Sequence, residues 1–229
     1  MKVLLNDACV RAVRYLEQLD ARAVAPTPAA VTALRAFDES IPERPTDPAD
    51  TLRLLDEVCS PATTAMAGAR FFGFVIGGTL PVTLAANWLA GAWDQNTGLH
   101  RPTPGTAYLE KIALRWLIDV LHLPAGCGGG FVTGATVANL CGLAAARHAV
   151  MHRAGWNVEA DGLFGAPPVT VVIGAEAHPS LNKSLGILGL GRSRVLTVPV
   201  DAQGRMRVDA LPKFAGPTIV CVQAGNVNT

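Results

Sequence analysis

"PPVTVVIGAEAHPSLNKSLGILGLG", residues 167–191, joins a run of valine and isoleucine to a segment opened by histidine and proline. The first part has the composition of a buried strand, and the second, with apolar residues three and four apart, that of a helix. Two further short apolar runs follow, "SRVLTVPV" (193–200) and "GPTIVCVQAG" (216–225). Strand, helix, strand, connector, strand is an α/β order. Apolar runs that do not alternate with polar residues predict a mainly parallel sheet covered on both faces. No internal repeat or low-complexity tract interrupts it.

Upstream, "FVTGATVANLCGLAAAR" (131–147) follows a glycine-rich loop. It predicts a short apolar strand at Phe131–Val132, a cluster of small residues, and a long helix. Before it, "TPGTAYLEKIALRWLIDVLHLP" (103–124) is an amphipathic helix with Leu109, Ile112, Trp116 and Val120 on one stripe, ending near Pro124. The uncharged stretch "FFGFVIGGTLPVTLAANWLAGAW" (71–93) is long enough to span a bilayer. Gly77-Gly78 and Pro81 break it, so two shorter buried segments joined by a turn are expected instead. The first sixty residues hold three helical periodicities: Val10, Val13, Leu19; Val31, Leu34, Phe37; and Leu52, Leu55, Val58. Thr27-Pro28 and Asp47-Pro48 each place a capping side chain before a proline at the first helical position. The polar, proline-rich linker "DESIPERPTDPAD" (38–50) makes this a jointed arm expected to pack on something else, such as a second subunit.

Composition narrows the function. Of 229 residues, 50% are hydrophobic and 16% charged, with a net charge of +1, enough apolar surface for a sizeable core and too little basic charge for nucleic acid as the main partner. The N-terminus turns polar too soon for a signal peptide. Cys9, Cys59, Cys127, Cys141 and Cys221 are scattered and odd in number, which fits free thiols in a reducing cytoplasm rather than disulfides or a metal cage.

In open α/β sheets, ligands gather where strands end and helices begin. Three such places are visible. Thr133, Gly134, Ala135 and Thr136 precede the long helix, where backbone N–H groups can hold an anion and small side chains let a phosphate approach; a tight turn feeding a buried helix is the other reading. His178 follows the first strand, suited to stacking on a flat ring or moving a proton, or else to capping a loop. Asn226, Asn228 and Thr229 follow the last strand. His148 and His152 stand four apart on a helix, but no third ligand accompanies them, so no metal site is expected. Neither G-x-G-x-x-G, nor the lysine of a nucleotide-triphosphate loop, nor G-x-S-x-G occurs.

Taken in order, residues 70–96, 103–117, 131–147, 177–191 and 220–229 resemble the group II pyridoxal-phosphate-dependent amino acid decarboxylases, relatives of the aromatic-amino-acid and glutamate decarboxylases. The resemblance implies an α/β fold. Residues 1–69 would be a helical arm wrapping the partner of a cytoplasmic homodimer, and 70–229 the first part of a fold-type I cofactor-binding domain. It implies that Gly134, Ala135 and Thr136 hold the phosphate of pyridoxal 5'-phosphate, that His178 lies over its ring, and that Asn226 approaches it. Residues 74–80, with Pro81, resemble a segment lining the substrate entrance. The expected reaction is decarboxylation of an L-amino acid, with no nucleic acid or membrane partner.

The sequence also departs from the family. Its lysines are Lys2, Lys111, Lys183 and Lys213, and none occupies the position of the lysine that binds the cofactor. The aspartate that pairs with the pyridine nitrogen has no counterpart either. The chain is accordingly read as the N-terminal portion of a decarboxylase, inert alone and dependent on the remainder of the decarboxylase chain. A carbon–carbon lyase or desulfurase of the same fold type, or a non-catalytic dimerising chain, are the alternatives.

Overall fold

The structure is a computed structural model that describes residues 1–225. The chain divides into two compact units, Met1–Gln95 and Asn96 onward.

The first unit is helical. It comprises α1 (Lys2–Glu17), α2 (Pro28–Ala33) continued by a tight turn of helix over Leu34–Phe37, α3 (Pro48–Cys59) and α4 (Pro81–Trp93). Both expected start signals act as such. The Thr27 side chain accepts from the Ala30 N–H at 3.2 Å, and Asp47 accepts from the Ala49 N–H at 2.7 Å, each ahead of proline at the first helical position. Polar contacts tie α1 to α3, for Arg11 donates to Asp56 at 2.9 Å and Arg14 reaches the same carboxylate. Leu19 lies beyond the end of α1, so only part of its expected stripe is helical.

The uncharged stretch differs from expectation. Its second half forms α4, but residues 71–80 are irregular, and Phe72 and Phe74 are 91% and 89% exposed rather than buried. Gly77-Gly78 ahead of Pro81 denies the first half a continuous helix, and the described residues supply no surface to cover it. Phe74 (φ 58°) and Val75 (φ 56°) sit in the left-handed region, costly for a β-branched residue. Among the described residues no helix is long and apolar enough to cross a membrane.

The second unit holds α5 (Pro104–Val120), α6 (Ala135–Arg153), α7 (Val158–Asp161), β1 (Thr170–Gly174), α8 (Pro179–Ile187), β2 (Leu196–Val198) and β3 (Thr218–Cys221). The three expected strands form one parallel sheet in the order β2-β1-β3, with Val172 opposite Leu196 on one side and Val220 on the other. The central strand is buried at Val171, Val172 and Ile173, which is why its sequence does not alternate. Val171, Ile173 and Ile219 meet Leu143 of α6 and Leu185 of α8 in one core, each such side chain contributing roughly 1.5–3 kcal/mol on burial.

Both helices that cover this face end in the same way. The Trp156 N–H returns to the Met151 carbonyl (2.9 Å), and the Leu190 N–H to that of Leu185 (3.0 Å). Gly155 (φ 78°) and Gly189 (φ 72°) take the left-handed position each closure needs. Two expectations fail in this unit. Phe131 and Val132 form no strand, because two apolar residues between glycines and Thr133 are too few to sustain a ladder. The α5 stripe is helical as expected, but Leu109, Trp116 and Val120 remain exposed.

Candidate functional site

Helix α6 begins without a side-chain cap, at Gly134, and carries no acidic residue in its first turn. Its first internal bond runs from the Ala138 N–H to the Gly134 carbonyl at 3.0 Å. The N–H groups of Ala135, Thr136 and Val137 therefore have no partner within the helix and lie at its positive end. A Cβ built on Gly134 would meet nothing within 4 Å, so the space before these donors is open. Gly134 itself is extended (φ 169°), a conformation open to any residue, so glycine here matters for room rather than for backbone freedom. Uncapped donors, open space, a threonine hydroxyl and no nearby acidic side chain on the first turn form a donor set that fits a phosphate.

His178 stands at the N-cap of α8, four residues after β1 ends at Gly174. Its Nδ1 accepts from the Ser180 N–H (3.2 Å) and lies 2.8 Å from Ser180 Oγ. Capping occupies only one ring nitrogen. The residue is exposed, and the capping role leaves the ring face and Nε2 available.

The two places are joined by side chains that sequence reasoning missed. Ser180 and Ser184, four apart on α8, are both buried, and they grip the first turns of α6. Ser184 Oγ donates to the Thr136 carbonyl at 2.9 Å and shares that hydrogen with the Ser180 carbonyl at 3.0 Å. Asn139 Nδ2 donates to Ser180 Oγ at 2.9 Å. Further along α6, the Arg147 guanidinium donates to the Leu188 carbonyl just past the end of α8 at 3.0 Å. Thr136 and His178 thus belong to one hydrogen-bonded assembly. Two serines one helical turn apart, on the same face of α8, are the signal that could have revealed it.

Asn226 lies outside the described residues, as do Asn228 and Thr229. Cys221, at the end of β3, is partly buried, and burial pushes its thiol up from the ordinary value, which disfavours a nucleophilic thiolate. His148 pairs with Glu159 at 2.8 Å and stacks on His152 at 6.0 Å between centroids. Among the described residues no group of three ligating side chains could hold a metal.

The helical unit contains a cavity of about 220 Å³ lined by Arg11, Arg14, Tyr15, Arg22 and Asp56. Its guanidiniums are already engaged. Arg11 and Arg14 hold Asp56, while Arg22 bonds the Ser60 carbonyl and lies 4.6 Å over the Tyr15 ring.

The family model of the pyridoxal-dependent decarboxylase conserved domain matches residues 31–225. Among curated proteins, the chain is 25% identical over 213 residues to an aromatic-L-amino-acid decarboxylase of Bacillus atrophaeus, covering 93% of this chain and 42% of the relative. It is 30% identical over 155 residues to an L-2,4-diaminobutyrate decarboxylase of Acinetobacter baumannii, covering 61% and 29%. Among solved structures, mouse CSAD superposes with a TM-score of 0.81 at 20% identity, covering 91% of this chain and 44% of that one. Oryza sativa TDC, solved with PLP and tryptamine, superposes at 0.78 and 23% identity, covering 90% and 43%. The fold is shared with both. The chain spans less than half the length of each of these relatives.

Proposed function

The chain belongs to the pyridoxal-dependent decarboxylase family, and from that premise we propose that it supplies the phosphate- and ring-binding part of an L-amino acid decarboxylase site. The observation that carries this reading is the uncapped, uncrowded start of α6 linked through Ser184, Ser180 and Asn139 to His178. The N–H groups at the start of α6 and the Thr136 hydroxyl would receive the phosphate of pyridoxal 5'-phosphate, with Gly134 and Ala135 leaving room for it. His178 would offer its ring face and Nε2 to the ring, and Asn226, which lies outside the described residues, would also contact the cofactor. Bound pyridoxal phosphate supplies an electron sink for the negative charge left on carbon when carbon dioxide departs. The clamp between α6 and α8 keeps the anion-binding turn and the histidine at a fixed separation, so neither must be ordered anew when ligand binds.

The cofactor-binding lysine and the aspartate for the pyridine nitrogen are assigned to sequence outside residues 1–229. Residues 1–69 are read as a dimer-wrapping arm and 70–229 as the first part of the cofactor domain. Exposed apolar side chains on α1 and α3, such as Val10 and Leu55, support a partner subunit for the arm. A cytoplasmic setting suits the five free cysteines.

The test is carbon dioxide release by the polypeptide made from its native gene, supplied with pyridoxal phosphate and aromatic, acidic and diamino L-amino acids in turn. Release from one class, with a bound-cofactor absorbance band, is expected. Thr136→Val should weaken cofactor binding about tenfold to a hundredfold, the worth of one hydrogen bond to a charged group. His178→Ala should lower turnover by about 10²-fold or more. Absence of both cofactor binding and release from every class would overturn the reading.

A further inference from the structure

His178 Nδ1 has two hydrogen-bond neighbours, and both belong to Ser180. A backbone N–H can only donate, so the contact at 3.2 Å from the Ser180 N–H requires Nδ1 to be an acceptor. The hydroxyl contact at 2.8 Å could run either way on its own. Asn139 decides it. Its amide nitrogen donates to Ser180 Oγ at 2.9 Å, taking up a lone pair and leaving the hydroxyl hydrogen free to point at Nδ1. Ser180 is only 6% exposed, so water does not readily replace these partners.

We propose that Ser180 and Asn139 are positioning residues that hold neutral His178 in the tautomer protonated at Nε2, so that the ring presents an N–H donor to its ligand rather than an acceptor. The chain runs Asn139 N–H to Ser180 Oγ, Ser180 O–H to His178 Nδ1, with Nε2–H at the outer end. Because Ser184 fixes the Thr136 carbonyl to the same helix, this proton is held in register with the anion-binding turn. The catalytic consequence rests on the function proposed above; the tautomer does not.

Selective ¹⁵N labelling of histidine in the cofactor-loaded enzyme reads the tautomer directly, since a protonated and an unprotonated ring nitrogen differ widely in chemical shift. Wild type should show Nε2 protonated. Ser180→Ala keeps the backbone N–H donor but loses the shorter hydroxyl contact, so the share protonated at Nδ1 should rise above that of wild type, and Ser180→Thr, which keeps a hydroxyl, should restore the wild-type pattern. Asn139→Asp is the directional variant. A carboxylate would accept the Ser180 hydroxyl hydrogen, turn the relay round, and raise the population protonated at Nδ1. In Ser180→Ala and Asn139→Asp, kcat should fall by about tenfold with KM changed less, a split expected when a proton-handling group is mis-set.

Unchanged histidine shifts in Asn139→Asp and Ser180→Ala would overturn the positioning role, and if the alanine variant does not fold, Asn139→Asp alone decides. Wild-type turnover in His178→Ala would instead overturn the functional reading of the histidine, whatever the tautomer.

Discussion

The helical unit and the sheet-bearing unit use similar amounts of regular structure in opposite ways. In the first, Ala65 is the buried apolar residue among the described side chains, and α1 to α4 bury none. Its order comes from caps and ion pairs: Thr27, Asp47, and the Arg11–Asp56–Arg14 cluster. In the second, α6 and α8 close over a parallel sheet, and polar contacts between them occur where the core is already dry. A helix held by its ends is easily displaced. A helix held by its face positions side chains well, and the residues proposed for chemistry stand on helices of that second kind.

The contrast can be broken most directly at the core. Leu185→Ala, at a fully buried position, should cost about 2–5 kcal/mol in denaturant unfolding, whereas Leu55→Ala on α3, 51% exposed, should stay within about 0.5 kcal/mol. Equal losses would show that the arm has a core of its own. Ser184→Ala should cost about 1–3 kcal/mol, because it strips a buried donor from the Thr136 carbonyl, and hydrogen exchange should quicken at the start of α6. No change in exchange there would mean that the clamp is dispensable.

Smaller effects sharpen the comparison, one in each unit. Asp47→Ala should cost about 1 kcal/mol, read as loss of helicity in residues 48–59; an unaltered signal would deny the cap its role. The smallest effect concerns Asp201, whose carboxyl is held below its ordinary 3.8 by the Arg205 N–H, then by the Arg205 side chain and the Gln203 N–H. A depressed carboxyl pKa adds stability above the ordinary value and loses it as pH falls through the native one. Asp201→Asn should therefore unfold slightly more easily than wild type at neutral pH and match it in strong acid. A gap that persists in acid would point away from the charge.

Much of the second unit was legible because its signals are local. The valine-rich runs became β1, β2 and β3, and the histidine–proline pair at 178–179 opened α8. The apolar stretch before Pro81 misled, since hydrophobicity states a preference for burial without stating what will do the covering. Phe131–Val132 misled for a related reason, as a strand exists only if another pairs with it. At the proposed site, Gly134, Ala135, Thr136 and His178 could be singled out from the sequence because they sit at element boundaries. Ser180, Ser184 and Asn139 were not, because their meaning lies in contacts across 41 and 48 residues of chain.

The sequence by itself determined where α2, α3 and α8 start, the parallel character of the sheet, and the small-residue turn before α6. These depend on caps, on φ values favoured by glycine and proline, and on the pattern of apolar residues, all set within a few neighbours. Only the tertiary structure decided that α6 and α8 share buried serine contacts, which of His178's nitrogens is occupied, and which apolar stripes remain uncovered. Those are matters of partners distant in sequence, brought together when burial of the sheet's face draws the two helices side by side.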